Sequence, residues 1–263
     1  MSAVAQTLAA CRAQGRAALI GYLPVGYPDL AGSVDAMRAM VEAGVDIVEV
    51  GVPYSDPLMD GPVIQHAAEV ALAGGTKVTD AFTATAALAE VGAPSVVMTY
   101  WNLVLRRGVE RFAADLAAVG GSGLITPDLI PDEAGEWLAA SDRHGLDRVF
   151  LVAPSSTTER LASVTAACRG FVYAASTMGV TGARTSVGLA AEGLVRHTRA
   201  VTDLPVCVGL GVSTGAQARQ VGEYADGVIV GSALVRCLVD AVDRAEGLDR
   251  IRVLVSELAE GVR

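Results

Sequence analysis

Eight short apolar runs alternate along this chain with stretches of helical periodicity, and this alternation is the strongest constraint on its fold. The runs are continuously apolar rather than alternating with polar residues, which is typical of parallel strands covered on both faces. They predict strands at Ala18–Tyr22, Ile47–Gly51, Ser95–Tyr100, Gly123–Thr126, Val149–Val152, Phe171–Ala175, Val206–Leu210 and Gly227–Val230.

Eight strand–helix units in 263 residues, with no break in composition, predict an α/β fold consisting of one (β/α)8 TIM barrel with an extra N-terminal helix. The barrel is expected to occupy residues 1–263 as a single domain. Apolar residues make up 52% of the chain, which is enough for one large core. A doubly wound open sheet is the alternative architecture.

Several helix boundaries can be predicted from local signals. Residues 33–41 carry an apolar stripe, and Gly44 follows where a C-terminal cap belongs. The segment Pro131–Glu133 is typical of a first helical turn, with proline followed by acidic residues. Ser213 and Ser232 are predicted as N-caps after the seventh and eighth strands.

The charge and cysteine content exclude several classes of protein. The net charge is −9 and the chain has no basic stripe, which argues against nucleic-acid binding. The four cysteines form no CxxC pair and are expected to be reduced. The N-terminus lacks the apolar run of a signal peptide, and no membrane-spanning segment is apparent. These features predict a soluble cytoplasmic protein.

Two carboxylates around the second strand are candidates for acid–base chemistry. Glu49 interrupts an apolar strand near its C-terminal end, where barrel enzymes place their active sites. Asp60 closes the following loop, which contains three prolines. Two carboxylates in different environments can divide acid and base roles. A solvent-facing glutamate and an ordinary Asp-Gly turn explain the spacing equally well.

Three tyrosines stand at the ends of predicted strands. Tyr22, Tyr100 and Tyr173 end the first, third and sixth strands. Together they predict a flat slot with polar tips that suits an aromatic ligand, although tyrosine also packs at strand ends for structural reasons.

Glycine-rich turns follow the last three strands, at residues 179–182, 209–211 and 230–232. Glycine lets backbone N–H groups approach an anion, and a helix N-terminus favours negative charge. Barrels often bind phosphate with the loops after strands seven and eight, so these turns predict a phosphate site.

The remaining candidate catalytic groups are poorly placed. The single lysine, Lys77, enters a helix rather than ending a strand, which argues against a Schiff base or covalently held pyridoxal phosphate. His66, His144 and His197 show no metal-ligand spacing. We therefore expect neither metal nor cofactor in this chain, and carboxylate acid–base catalysis remains.

Five motifs resemble those of tryptophan synthase alpha subunits, and the resemblance extends over essentially the whole chain. The longest and most specific, at residues 48–62, is VEVGVPYSDPLMDGP. The others are GYLPVGYPD, MTYWN, GLITPDL and GVTGAR.

The resemblance implies retro-aldol cleavage of indole-3-glycerol phosphate to indole and glyceraldehyde 3-phosphate. Glu49 matches the acid–base that protonates indole C3, Asp60 the carboxylate that binds the indole N–H, and Tyr173 the tyrosine that supports this aspartate. Thr181 matches a loop threonine that closes the site. The indole pocket walls correspond to Tyr22, Met98, Tyr100, Ile125, Pro127 and Leu210, where the family often has phenylalanine or leucine. The phosphate cradle corresponds to Gly182, Gly211, Gly231 and Ser232.

The resemblance also implies a beta subunit partner in an alpha2beta2 heterotetramer. The partner receives indole through a tunnel and holds pyridoxal phosphate. Pro53, Asp56 and Pro57 match the loop that faces it. Three alternatives remain open: a stand-alone indole-releasing lyase, a catalytically inactive barrel that serves as an activator or scaffold, and a sugar-phosphate isomerase.

Overall fold

The computed structural model describes residues 1–57, 59–175, 184–209 and 211–263, and only the backbone of residues 184–189. The strands are β1 Ala18–Pro24, β2 Ile47–Gly51, β3 Ser95–Met98, β4 Gly123–Ile125, β5 Asp147–Val149, β6 Leu151–Val152, β7 Val172–Ala175, β8 Val206–Gly209 and β9 Gly227–Val230.

The helices alternate with the strands. They are α1 Ala3–Ala13, α2 Leu30–Ala43, α3 Pro62–Ala73, α4 Val78–Ala89, α5 Trp101–Arg107, α6 Val109–Ala118, α7 Gly135–His144, α8 Thr158–Ala167, α9 Arg184–Arg199, α10 Gly215–Gly222, α11 Ser232–Val239 and α12 Arg244–Val262.

The nine strands form one sheet in the order β5-β4-β3-β2-β1-β9-β8-β7-β6, and all their pairings are parallel. The two ends of this sheet, β5 and β6, are separated only by Phe150. They are two halves of the fifth barrel strand, because β5 pairs with β4 and β6 pairs with β7. The predicted (β/α)8 barrel is confirmed, and the open sheet is excluded.

Two layers of apolar packing hold the barrel together. A larger cluster lies between the sheet and the surrounding helices, with Trp137, Phe112 and Leu116 among its fully buried side chains. A second cluster fills the barrel interior, where Ile20 and Ile47 pack against inward-pointing side chains of the other strands. This filling makes the barrel a packed core, as expected for eight strands.

Helix α1 covers the floor of the barrel, at the N-terminal ends of the strands. Its buried residues Val4, Leu8 and Cys11 belong to the interior cluster. The Ser2 hydroxyl accepts a hydrogen bond from the Ala5 N–H at 3.1 Å and donates one to the Asp147 carboxylate. The predicted extra N-terminal helix is therefore present and is fastened to the start of β5.

Some helix boundaries differ from those predicted. Gly44 caps α2 as expected, with φ +122°. However, α10 is capped by Thr214 rather than Ser213, because the Thr214 hydroxyl accepts from the Gln217 N–H at 3.3 Å. Ser232 is the first residue of α11 rather than its cap. Pro131–Glu133 forms a separate 3-10 turn, and α7 begins at Gly135.

Candidate active site

Six of the predicted site residues, Tyr22, Glu49, Met98, Pro127, Tyr173 and Gly231, lie on one inward-facing row of the barrel. Side chains two residues apart on a strand point to the same face. The residues that lie two positions after the interior residues Ile20, Ile47 and Phe171 therefore also point inward, but at the mouth of the barrel. The mouth positions reached in this way include Tyr22, Glu49, Met98, Pro127, Leu151, Tyr173, Gly209 and Gly231.

Glu49 is the carboxylate of this row, and only 1% of its surface is exposed. It stands opposite Tyr22 on β1 and Val96 on β3. Its Oε2 atom accepts no hydrogen bond from any residue that the structure describes. Burial, and then the negative charge of Asp60, raises the pKa of Glu49 to about 8. The side chain can therefore hold a proton at neutral pH and release it to a bound molecule.

Asp60 lies beside Glu49 at the end of the loop that follows β2. It is half-buried, and this partial burial raises its pKa above the ordinary value. The Gln65 side-chain amide donates a hydrogen bond to the Asp60 carbonyl oxygen at 2.8 Å, which ties the loop to α3. Because Asp60 is less shielded than Glu49, it ionises first and Glu49 keeps its proton.

Two glycines make room for two tyrosine rings beside these carboxylates. A Cβ built on Gly51 would lie 2.5 Å from the Tyr22 hydroxyl oxygen, and one built on Gly209 would collide with the Tyr173 hydroxyl. Each tyrosine therefore reaches over a glycine of the next strand. Burial, followed by the charges of Asp60 and Glu49, raises the pKa of Tyr22 well above its ordinary value. Burial, and then the charges that include Glu49 and Asp60, likewise raises the pKa of Tyr173, so both phenols stay neutral.

Tyr100 takes a different position from the other two tyrosines. Its ring stacks on Tyr54, with the ring centroids 4.4 Å apart and an angle of 23° between the planes. Its hydroxyl accepts a hydrogen bond from the Met59 N–H at 3.2 Å. Tyr100 therefore supports the loop that carries Asp60. Tyr54 was missed at the sequence level, although an aromatic residue between the prolines of this loop is a visible signal.

The other predicted pocket walls lie at different depths. Ile125 is fully buried in the interior cluster and forms the floor beneath the mouth, while Met98 is half-buried above it. Pro127 is half-buried just beyond β4. Thr181, Gly182 and Leu210 lie outside the described residues.

Gly211, Gly231 and Ser232 form the part of the predicted phosphate cradle that is described. Gly211 has φ +64°, a left-handed conformation that favours glycine. Gly231 directly precedes α11, and no side chain caps this helix. The first N–H groups of a helix have no partner within it. The N-terminus of α11 is therefore suited to an anion, with Ser232 as its first residue.

A large cavity lies at the opposite end of the barrel, between α1 and the floor. It has a volume of about 900 Å³ and includes Asp147 and Asp226 among its lining residues. Both carboxylates are already paired, Asp147 with Ser2 and Asp226 with Arg199. The reactive carboxylates lie at the mouth, on the other face.

The structure also bears on the lysine, the metal site and the membrane-spanning segment that the sequence argued against. Lys77 is exposed and is the N-cap residue of α4, in the outer ring of helices. Over the described ranges, no three His, Cys, Asp or Glu side chains are arranged to hold a metal ion. No helix in the described part of the chain is long and apolar enough to cross a membrane.

A parallel barrel with a buried glutamate of raised pKa and a second carboxylate at its mouth is typical of barrel enzymes that use acid–base chemistry. The family model for the tryptophan synthase alpha chain matches residues 8–263. The chain belongs to the tryptophan synthase alpha chain family, whose lyase reaction in tryptophan biosynthesis is the cleavage of indole-3-glycerol phosphate.

Relatives and solved structures agree with this assignment. The chain is 66% identical over 253 residues to the tryptophan synthase alpha chain of Mycobacterium marinum, covering 96% of this chain and 92% of the relative. It is 63% identical over 262 residues to that of Nocardia farcinica, covering 100% and 96%. A crystal structure of tryptophan synthase from M. tuberculosis in an aminoacrylate-bound form superposes with a TM-score of 0.92 at 59% identity, over 100% of both chains. The alpha subunit from Legionella pneumophila superposes with a TM-score of 0.91 at 30% identity, covering 100% of this chain and 98% of that one.

Proposed function

We propose that Glu49 and Asp60 carry out the cleavage. Protonated Glu49 gives its proton to indole C3, and Asp60 accepts a hydrogen bond from the indole N–H and stabilises the resulting cation. The bond between C3 and the neighbouring carbinol carbon then breaks, and its electron pair returns to the ring. The carbinol O–H proton passes to the Glu49 carboxylate, which leaves indole and the aldehyde of glyceraldehyde 3-phosphate. The observation that carries this proposal is the raised pKa of the buried Glu49.

The other predicted site residues support these two groups. Tyr173, whose pKa responds to both carboxylates, orients Asp60. Tyr22, Met98, Tyr100, Ile125, Pro127 and Leu210 enclose the indole. Gly182, Gly211, Gly231 and Ser232 hold the phosphate, and Thr181 closes the site. For Thr181, Gly182 and Leu210 the support is the family resemblance alone.

We also infer that the beta subunit docks over the barrel mouth. Three exposed apolar side chains, Met59, Leu105 and Ile130, lie on segments that follow the neighbouring strands β2, β3 and β4. Hydrogen bonds join these segments, since the Met59 N–H donates to Tyr100 and the Trp101 N–H donates to Asp128 at 2.9 Å. A cluster of exposed apolar residues on linked loops favours a protein interface. We call Met59, Leu105 and Ile130 the mouth patch.

The assembly that follows is an alpha2beta2 heterotetramer in the cytoplasm. In it, this chain acts as one domain spanning residues 1–263, and the beta subunit holds pyridoxal phosphate and receives indole. The M. tuberculosis crystal structures at 59–62% identity are structures of tryptophan synthase, which favours the subunit interpretation over a stand-alone lyase.

The test is incubation of the purified chain with indole-3-glycerol phosphate, with and without a beta subunit, while indole and glyceraldehyde 3-phosphate are measured. We expect cleavage that the beta subunit stimulates and that declines above about pH 8, where Glu49 loses its proton. Full activity without the partner would favour the stand-alone lyase. No release of glyceraldehyde 3-phosphate under either condition would favour the scaffold.

A further inference from the structure

Tyr22 spans the distance between the phosphate turn and the acid. A Cβ built on Gly231, in the turn before α11, would lie 3.3 Å from the Tyr22 Cδ1 atom. At the other end of the ring, the hydroxyl lies over Gly51, two residues beyond Glu49 on the same strand face. The ring therefore runs from the proposed phosphate site towards the proton donor.

Within the described part of the chain the Tyr22 hydroxyl has no hydrogen-bond partner, and it is not among the fully buried unpartnered atoms, so it is open to the mouth although Tyr22 as a whole is only 8% exposed. Buried tyrosines usually find a partner for their hydroxyl. An unpartnered hydroxyl at the mouth of an active-site barrel points to a bound molecule as its partner. Phenylalanine would fill the same space above Gly51 without offering this donor.

The position of the hydroxyl indicates which part of the substrate it meets. In indole-3-glycerol phosphate, a three-carbon chain with two hydroxyls joins the phosphate to indole C3. With the phosphate at Gly231 and C3 at Glu49, this chain runs along the Tyr22 ring, and the tyrosine hydroxyl lies at the end nearer Glu49.

We propose that Tyr22 is a specificity-determining residue whose hydroxyl donates a hydrogen bond to the substrate hydroxyl on the carbon bonded to indole C3. This assignment rests on the proposed function, and it replaces the apolar wall role predicted for Tyr22 with a polar one. The bond holds the scissile carbon beside Glu49 and supports the oxygen as it becomes the aldehyde oxygen. The raised pKa of Tyr22 keeps the phenol in its donor form.

The test compares Tyr22→Phe with a matched variant, Tyr27→Phe. Tyr27 is also 8% exposed, but its ring contacts His66 edge-on with the centroids 6.3 Å apart. Two ligands are used: indole-3-glycerol phosphate, and indole-3-propyl phosphate, which has the same ring and phosphate but no hydroxyls. Cleavage gives kcat/KM for the first ligand, and calorimetric titration gives Kd for the second.

We expect Tyr22→Phe to lower kcat/KM by about ten- to a hundredfold while changing the Kd of indole-3-propyl phosphate less than twofold. Tyr27→Phe should leave both values within twofold of wild type. An unchanged kcat/KM in Tyr22→Phe overturns the assignment. So does a rise in the Kd of indole-3-propyl phosphate as large as the fall in kcat/KM, since that would mean that the ring packing and not the hydroxyl is responsible. Absence of cleavage by the wild-type protein would instead overturn the proposed function itself.

Discussion

Tyr173 on β7 lies over Gly209 on the neighbouring strand β8, and its phenol occupies the space that any side chain at residue 209 would need. Glycine at this position is therefore a requirement of the tyrosine beside it. A glycine that contributes no side chain thus shapes the wall of the active site by leaving space for the ring of the neighbouring strand.

Gly209→Ala should move Tyr173 away from the carboxylates. The buried ring cannot absorb the new methyl group, because its Cε1 and Cζ atoms would lie 2.8 and 2.9 Å from it. We expect kcat for cleavage to fall at least about tenfold. Gly193→Ala, in α9, is the control, because a Cβ there meets nothing within 4 Å. Equal kcat values for the two variants would contradict the packing role of Gly209.

Glu49→Gln should abolish proton donation to the substrate while leaving substrate binding nearly unchanged. We expect kcat to fall by about 100- to 10,000-fold, the usual range for loss of a general acid, while the Kd for indole-3-glycerol phosphate changes less than about threefold. Glu90→Gln, at an exposed glutamate paired with Arg38, is the control and should keep full activity. Substantial turnover by Glu49→Gln would assign the proton to another group.

The stability of the wild-type protein should fall as the pH rises from about 5 to 9. The pKa of Glu49 is about 8 in the folded state, against an ordinary glutamate pKa of 4.5, so the folded protein holds a proton that the unfolded chain has released. Folding is therefore penalised progressively over this window. Glu49→Gln lacks the penalty and should exceed wild type in free energy of unfolding by roughly 1–3 kcal/mol at pH 8.5, but not at pH 5. Urea titrations at both pH values measure this, and parallel curves would argue against an ionisable buried Glu49.

Ser232→Asp should weaken phosphate binding. A carboxylate at the first residue of α11 would occupy the positive end of the helix and repel the ligand. We expect the Kd of indole-3-propyl phosphate to rise at least about tenfold. Ser163→Asp adds the same charge to an exposed position of α8 and should leave the Kd unchanged. If both variants bind equally well, the phosphate lies elsewhere.

Charges in the mouth patch should weaken binding of the beta subunit. Leu105→Glu and Ile130→Glu each place a carboxylate on an apolar side chain that is 51% or 41% exposed. We expect the Kd for the beta subunit to rise at least about tenfold for each, with Tm near that of wild type because neither side chain is buried. Val253→Glu, at a residue of α12 that is 72% exposed, is the control. Equal binding by all three variants would place the partner on another face.

Much of the site was predictable because barrel enzymes place their active sites at the C-terminal ends of the strands, and because alternate side chains of a strand point to the same face. Glu49 was visible as a charge inside an apolar strand, and strand parity then places Tyr22 and Tyr173 on the same inner face. The role of Gly51 was not visible, since it depends on the ring of a neighbouring strand filling the vacant space. The stack between Tyr54 and Tyr100 likewise depends on how the loop folds back.

The errors at helix starts have a similar cause. Ser213, Thr214, Gly231 and Ser232 are all acceptable near a helix N-terminus by residue type, and only backbone angles decide which residue is the cap. Gly231, with φ −120° and ψ −81°, takes the cap position of α11 without any side-chain bond. The division of the fifth strand at Phe150 also depends on pairing with two different neighbours, which no local pattern reports.

The fastening of α1 to the barrel floor has a consequence for biosynthesis of the protein. This helix is translated before every strand of the barrel, yet the carboxylate that accepts the hydrogen bond from the Ser2 hydroxyl belongs to a residue 145 positions later. The apolar face of α1 therefore stays exposed until the strands of both halves of the barrel have been translated and have paired. Docking of α1 then marks closure of the barrel, and a chain truncated before β9 should leave its first helix accessible to chaperones and proteases.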